Sequence, residues 1–354
     1  MDIREEPILS AERVGLTYVS DTEPGYRRKC AGTGFCYVTP QGGHVKDKAT
    51  LSRIRALVIP PAWTDVWICK EPSGHLQATG RDDRGRKQYR YHDKWTECRN
   101  ATKFSSLTGF AQALPDLREQ VSADLRRHGL PQERVLAAVV RLLDNTLVRV
   151  GNEAYARQNK SFGLTTLRSR HLEVEGAEIR LSFMGKSGKK WNLSLHDRRI
   201  AKLIRTIQEL PGQRLFQYVE DGVRHQVSSQ DVNDYIADTI GPDFTSKDFR
   251  TWGATVSAAL ALEKTALPAS KRGKTKALNA VIDKVARLLC NTRAVCRSCY
   301  IHPAILAAWE EGRLAAGMRA IRQRQTRPCK GLDEGETIVL RWLSRHKDEN
   351  LSQG

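Results

Sequence analysis

Between residues 134 and 150 the chain places Val135, Leu136, Val139, Val140, Leu142, Leu143 and Leu147 on a helical period. So much apolar surface around one helix cannot face water, so this helix must be central and enclosed by others. Pro131 suits its first turn and Gly151 its C-cap. A chain built around such a segment needs partner helices, and the downstream sequence supplies candidates. Helical patterning is expected at 110–112 and, after Pro115, at 117–127, then at 198–210, 229–240, 250–267, 275–290, 303–324 and 337–345. In the 275–290 stretch Leu278, Val281, Ile282, Val285, Leu288 and Leu289 follow i, i+3, i+4 spacing. Within this helical half, alternation at Ile179, Leu181, Phe183 and again at Trp191, Leu193, Leu195 predicts a small three-stranded sheet, its first strand at 173–176.

Upstream of residue 100 the period changes from helix to strand. Strands are expected near 35–38, 66–69, 75–79 and 87–92, with a short helix at 51–56 stopped by Pro60 and Pro61. Along the last strand Tyr89 and Tyr91 share one face, and Gln88, Arg90 and His92 share the other. Residues 81–94 carry six Lys or Arg against three Asp. Aromatics interleaved with cations suit nucleic acid, although two tyrosines packed on a sheet core would read the same way. The polar stretch at 96–106 reads as a boundary. The fold class is therefore α+β: a small antiparallel-sheet N-terminal domain at 1–100 and a larger, mainly helical domain at 106–354 containing the three-stranded sheet.

Charge narrows the partner. With 58 Lys and Arg against 40 Asp and Glu the net charge is +18, which points to a polyanionic partner, most often nucleic acid. No apolar run reaches membrane length, and residues 1–16 are charged and lack a signal-peptide core. No membrane association and a cytoplasmic, nucleoid-associated location are the expectations. The eight cysteines should then be reduced. Cys296 and Cys299 form a Cys-x-x-Cys, but a second pair to complete a zinc site is missing, so neither a metal nor another cofactor is expected.

Chemistry concentrates at the ends of elements. Tyr300 lies in the stretch 290–303, among basic and polar side chains. Arg149 closes the central helix, Lys186 heads the turn between two strands, Arg250 opens a helix, and Asn291 ends the helix before the tyrosine. Singly, each has an ordinary reading: helix-end arginines cap or face solvent, turn lysines are exposed, and Asn commonly ends helices. Together they suit phosphoryl transfer. Two guanidiniums can clamp non-bridging oxygens, an amide can add a hydrogen bond, and a lysine can protonate a leaving oxygen.

These residues sit in motifs that resemble the type IB DNA topoisomerases, in the small form shared by bacteria and poxviruses. The resemblance is carried by Tyr-Arg-Arg-Lys and Gly-x-Gly-Phe within 26–35, Ile-Pro-Pro-Ala-Trp-Thr-Asp-Val-Trp-Ile-Cys at 59–69, and Gln-Ala-Thr-Gly-Arg-Asp with Arg-Lys-Gln-Tyr-Arg-Tyr-His within 77–92. It continues through Arg-Val-Gly-Asn-Glu-x-Tyr-Ala-Arg at 149–157, Gly-Leu-Thr-Thr-Leu-Arg at 163–168 and Gly-Lys-Ser-Gly-Lys at 185–189. It closes with Lys-Asp-Phe-Arg-Thr-Trp at 247–252 and Asn-Thr-x-Ala-Val-Cys-Arg-x-x-Tyr-x-His-Pro at 291–303.

The resemblance implies relaxation of positive and negative supercoils by single-strand cleavage, strand rotation and religation, without ATP or metal. It makes Tyr300 the nucleophile of a 3′-phosphotyrosyl intermediate, Arg149 and Arg250 stabilisers of the transition state, and Lys186 the general acid, with Lys189 or Lys190 as alternatives. Asn291 stands where many members have His, which leaves a neutral hydrogen bond in place of an imidazolium. Ser298 and Cys299 depart from the basic or small polar residues expected there. Gln88, Tyr89, Tyr91 and Tyr155 are the implied contacts to double-stranded DNA, and a monomeric clamp is the implied assembly. A tyrosine recombinase shares this chemistry but typically carries His three residues before the second arginine, where Lys247 stands. A non-catalytic basic DNA-binding protein would need none of these residues.

Overall fold

The computed structural model describes residues 7–32, 34–324 and 327–351. By packing, the chain divides into two compact units, Met1–Ser105 and Ser106–Gly354.

The first unit runs α1 (Pro7–Arg13), β1 (Tyr26–Ala31), β2 (Gly34–Val38), α2 (Lys48–Ala56), β3 (Thr64–Ile68), β4 (Leu76–Arg81), β5 (Lys87–Tyr91) and α3 (Asp93–Ser105). Its five strands form an antiparallel sheet ordered β2-β1-β3-β4-β5. Val66, Ile68 and Ala78 pack with Ile54 of α2 on one side, and Trp67, Cys69 and Leu76 with Val19 on the other. The stretch read as the boundary, 96–106, lies mostly within α3, anchored by buried Trp95 and Phe104, and the two units part at its end, between Ser105 and Ser106. Two aromatic anchors nine residues apart suffice for a helix whose remaining positions are mostly polar and exposed or partly exposed.

The second unit runs α4 (Leu107–Asp124), α5 (Gln132–Thr146), α6 (Glu153–Asn159), β6 (Leu172–Glu175), β7 (Glu178–Met184), β8 (Lys190–His196), α7 (Arg198–Gln208), β9 (Gln217–Glu220), β10 (Val223–Gln226), α8 (Ser229–Ile240), α9 (Ser246–Glu263), α10 (Lys271–Leu288), α11 (Arg293–Cys299), α12 (Pro303–Glu310), α13 (Leu314–Arg324) and α14 (Glu334–Leu351). The central helix is α5: Val135, Ala137, Ala138, Val139, Leu142 and Leu143 are fully buried. The expected three-stranded sheet forms in the order β6-β7-β8.

Several boundaries differ from the sequence reading. Pro115 does not break its helix but lies inside α4, with Gly331 packed against its ring. The α5 helix ends at Thr146, not at Gly151, because Leu147 itself turns left-handed at φ 55°. Arg250 lies in the second turn of α9 rather than at its start, and α10 begins at Lys271, four residues before the expected 275. The single helix expected at 303–324 is divided at Gly312 (φ 81°) into α12 and α13. The β9–β10 hairpin and α6 lay outside the sequence reading.

One polar network ties this unit together. Arg118 of α4 donates to both oxygens of Asp144 on α5 and both oxygens of Glu336 on α14. Trp252 of α9 donates its indole N–H to the same Glu336. Burial alone would raise the Glu336 carboxyl, but hydrogen bonds from Arg118 and the Asp333 N–H outweigh it and hold the group below the usual carboxylate range. A depressed folded value gives stability that is present above the ordinary value of 4.5 and is lost as pH falls below it. Arg118→Ala strands two largely buried carboxylates and should cost about 3 kcal/mol. Urea unfolding at pH 7 measures that loss, and the wild-type advantage should shrink as pH falls below the ordinary Glu value.

Candidate active site

The local folding of four segments brings the candidate residues together. In the first, the left-handed turn at Leu147 releases Val148–Gly151 from α5 as irregular chain. Gly163–Thr166 then clamps it. The Leu164 N–H donates to Arg149 C=O at 2.9 Å, and the Thr165 N–H to Val150 C=O at 2.7 Å. A Cβ at Gly163 would lie 2.6 Å from backbone atoms of both Arg149 and Gly151, so only glycine allows this approach. Asn152 caps α6 by accepting the Tyr155 N–H.

The second segment is the β7–β8 turn that carries Lys186. Gly185 lies so close over Trp191 that a Cβ there would stand 2.7 Å from the indole, and its N–H donates to Lys189 C=O. Ser187 and Gly188 both take positive φ, which folds the turn back sharply. The Phe162 N–H donates to Met184 C=O at 2.7 Å, joining this hairpin to the Arg149 segment. The Lys186 ammonium lies over the Tyr155 ring, 5.9 Å from its centroid.

Third, Arg250 rises from α9 and is only 3% exposed. Its two terminal nitrogens donate to Leu147 C=O and, at 2.9 Å, to Leu289 C=O. Both acceptors are helix C-caps, of α5 and α10. The negative ends of two helix dipoles therefore converge on one guanidinium. The approach is close because Gly253, one turn along α9, leaves room for the Leu147 side chain, which a Cβ would meet at 2.6 Å. Burial lowers the Arg250 value, the Arg149 charge pushes the same way, and Tyr300 opposes both. Among the described residues no carboxylate pairs with Arg149, Lys186 or Arg250.

Fourth, α10 ends in a Schellman turn: the Cys290 N–H donates to Arg287 C=O and the Asn291 N–H to Ala286 C=O, with Cys290 left-handed at φ 44°. Tyr300 follows as the C-cap of α11. Its N–H donates to Cys296 C=O, and its own carbonyl accepts from Thr255 of α9, whose hydroxyl also receives the His302 N–H. The tyrosine ring stands 5.1 Å from the Arg250 guanidinium carbon. Cys296, beneath it, is fully buried, and burial pushes its thiol up to about 11 although both arginines act the other way. Burial also brings His302 down to about 4, so it caps α12 as a neutral imidazole.

Arg149, Lys186, Arg250, Tyr300 and Tyr155 line one cleft of about 560 Å³. Asn291 is not in that lining. Its Oδ1 accepts the Thr292 N–H, while its Nδ2 is buried without an acceptor. Lys247 also lines the cleft. Thr255 and Gly163 were missed by the sequence reading: nothing about a threonine inside a helix announces that it holds a tyrosine carbonyl. In the first unit, Tyr89 and Tyr91 lie on β5, the edge strand, 47% and 45% exposed, their rings stacked at 5.9 Å. Gln88 faces the other way and donates to Asp82. The eight cysteines are free thiols, and among the described residues no group of three or more His, Cys, Asp and Glu could hold a metal.

A basic cleft holding a tyrosine, two arginines and a lysine is what phosphoryl transfer through a tyrosyl ester requires, and sequence comparison gives it a family. The description "Eukaryotic DNA topoisomerase I, catalytic core" matches residues 92–325, and "Bacterial DNA topoisomerase IB, N-terminal domain" matches residues 34–82. The chain belongs to the type IB DNA topoisomerases. DNA topoisomerase 1B of Acanthamoeba polyphaga mimivirus is 34% identical over 285 residues, covering 78% of this chain and 85% of the viral protein. DNA topoisomerase 1B of vaccinia virus (strain Copenhagen) is 23% identical over 154 residues, covering 42% of this chain and 49% of that protein. The DNA topoisomerase 1 of Mycosarcoma maydis is 24% identical over 182 residues, 46% of this chain and 18% of its own length. Membership of this isomerase family makes DNA the substrate. Among the described residues no helix is long and apolar enough to cross a membrane.

The Gly163 contact offers a direct check on the site's construction. Gly163→Ala forces the Arg149 backbone out of place, and should cost about 2–3 kcal/mol in urea unfolding and slow plasmid relaxation at least tenfold. Gly176→Ala, at a positive-φ turn with open space around it, should change relaxation little.

Proposed function

We propose that the cleft relaxes supercoiled DNA by reversible transesterification at Tyr300. The observation that carries this reading is the buried, carboxylate-free Arg250 held beside the tyrosine ring. The phenolic oxygen gives up its proton to water and attacks the scissile phosphorus, and the bond to the 5′ oxygen breaks, leaving a 3′-phosphotyrosine and, once that oxygen is protonated, a free 5′-hydroxyl. Arg149 and Arg250 face the non-bridging oxygens as charge builds on them. Lys186 delivers the proton that the 5′ oxygen takes as it leaves. Its turn is an exposed hairpin tip, where a long side chain can reach across the cleft. Asn291 donates its unmatched Nδ2–H to a phosphate oxygen once DNA draws the end of α10 toward the phosphate. Resealing is the reverse: the 5′-hydroxyl returns its proton to Lys186 and displaces the tyrosine, whose oxygen takes a proton back from water. The ester keeps the bond energy, so no ATP is consumed, and the three cations supply the charge that a metal would otherwise provide.

Binding is the work of both units in this reading. The 1–100 region meets the duplex with the Tyr89 and Tyr91 stack and with Gln88, which exchanges Asp82 for DNA, while Tyr155 meets it in the catalytic unit. One chain clamps one duplex as a monomer and works on the chromosome within the nucleoid. With a net charge of +18, affinity should fall steeply as salt rises.

Relaxation of a supercoiled plasmid in EDTA without ATP is the primary assay. Tyr300→Phe should abolish relaxation and the covalent adduct at a DNA 3′ end while DNA binding persists; an adduct surviving in that variant assigns the nucleophile elsewhere. Lys186→Ala should slow cleavage by about 10²–10⁴-fold on an ordinary phosphodiester. A 5′-bridging phosphorothiolate, whose sulfur leaves without a proton, should restore the rate. Lack of rescue transfers the acid role to Lys189 or Lys190.

A further inference from the structure

Beside the catalytic cleft the second unit holds a larger pocket, of about 750 Å³, that the chemistry at Tyr300 does not use. Phe162 lines both cavities. Around the second one stand Lys160, Arg168, Arg170 and Lys190, and its lining contains no carboxylate. Arg157, also at its edge, is taken up by Glu153. Among the described residues none of the other four cations has an ion-pair partner. Such a cluster repels itself unless an anion sits among it.

The floor differs from the rim. The Phe162 ring packs 4.5 Å from the His171 ring, and the Arg168 guanidinium lies over Phe162 at 5.6 Å. Met184 and Phe183 continue the apolar lining. His171 Nδ1 accepts the Arg168 N–H at 3.1 Å, so a neutral ring carries its proton on Nε2 and is a donor there. Burial, and then the charges of Arg170 and Arg168, hold this histidine below its ordinary value and so keep it neutral. A concave site of this volume with an apolar floor and a cationic rim suits a compact ligand that is flat at one end and anionic at the other. The smooth backbone of a duplex meets only the rim.

We propose that this pocket is a second phosphate site, separate from the one at Tyr300, that takes a nucleoside phosphate. The phosphate oxygens meet Lys160, Arg168 and Arg170, and the base lies against Phe162 and Met184. The same chemistry has two sources: a free nucleotide, or a nucleotide of bound DNA turned out of its stack.

The full-length chain and its Lys160→Gln/Arg170→Gln variant are titrated with ADP in EDTA by calorimetry, with inorganic pyrophosphate as the base-free probe. A duplex bearing 5-iododeoxyuridine is irradiated in parallel and the cross-link mapped. A free-nucleotide site gives one ADP bound per chain, tighter than pyrophosphate, and at least a tenfold loss in the variant. A DNA-derived ligand gives no ADP binding but a cross-link at Phe162 that the variant loses. Neither ADP binding nor a Phe162 cross-link, or either one unchanged in the variant, overturns the proposal. Arg168→Gln repeats the test should the double variant fail to fold. ADP affinity is measured in Tyr300→Phe as well, where it should be unchanged, so failure of this site and failure of the Tyr300 assignment are read separately.

Discussion

The catalytic unit depends on one buried cation. Arg250 is removed from water without a carboxylate to meet it, a situation that ordinarily costs several kcal/mol. Here the carbonyls that end α5 and α10 take the place of a counter-ion. They carry partial negative charge, enough to hold the guanidinium in place but not to cancel it. The uncancelled charge is what a phosphate in transit between two oxygens requires. A carboxylate partner would have made the fold more comfortable and the site much weaker.

The same constraint explains oddities elsewhere in the unit. Leu147 must turn left-handed to aim its carbonyl at Arg250, which is why α5 stops at Thr146, five residues before the glycine that would ordinarily end it. Gly253 is needed so that Leu147 can lie against α9. Cys290 takes a left-handed φ because the Schellman turn at the end of α10 brings Leu289 C=O to the arginine and leaves Asn291 just beyond. Thr255, on the same helix as Arg250, fixes the Tyr300 backbone, so cation and tyrosine are held on one element. Arg149 is held by the Gly163 clamp rather than by contacts of its own side chain.

Much of this was legible from the sequence. The α5 periodicity, the three-stranded sheet and the shift from strand to helix follow from side-chain patterning, which burial enforces. A series of motifs marks Tyr300, Arg149, Arg250 and Lys186 as candidates, and these four line one cleft. What could not be read depends on single backbone angles and on long-range approach. A left-handed leucine looks like any helical leucine. Gly163 and Gly253 look alike on paper, yet one approaches backbone and the other a leucine side chain. Alternation placed Gln88 opposite Tyr89 and Tyr91, but its bond to Asp82 needed the β4–β5 turn in three dimensions. Helix α3 went unread at 96–106 because its anchors, Trp95 and Phe104, lie too far apart to make a stripe.

The most direct test of this account is the single-turnover cleavage rate of Arg250→Lys on a substrate whose cut strand cannot be resealed. Lysine keeps the positive charge but cannot hold both helix-end carbonyls and a phosphate in one plane. The account predicts that cleavage slows by about 10²-fold or more while DNA affinity changes little. A rate within a few-fold of wild type would show that a point charge is enough, and would contradict the claim that two helix ends hold this guanidinium for the phosphate.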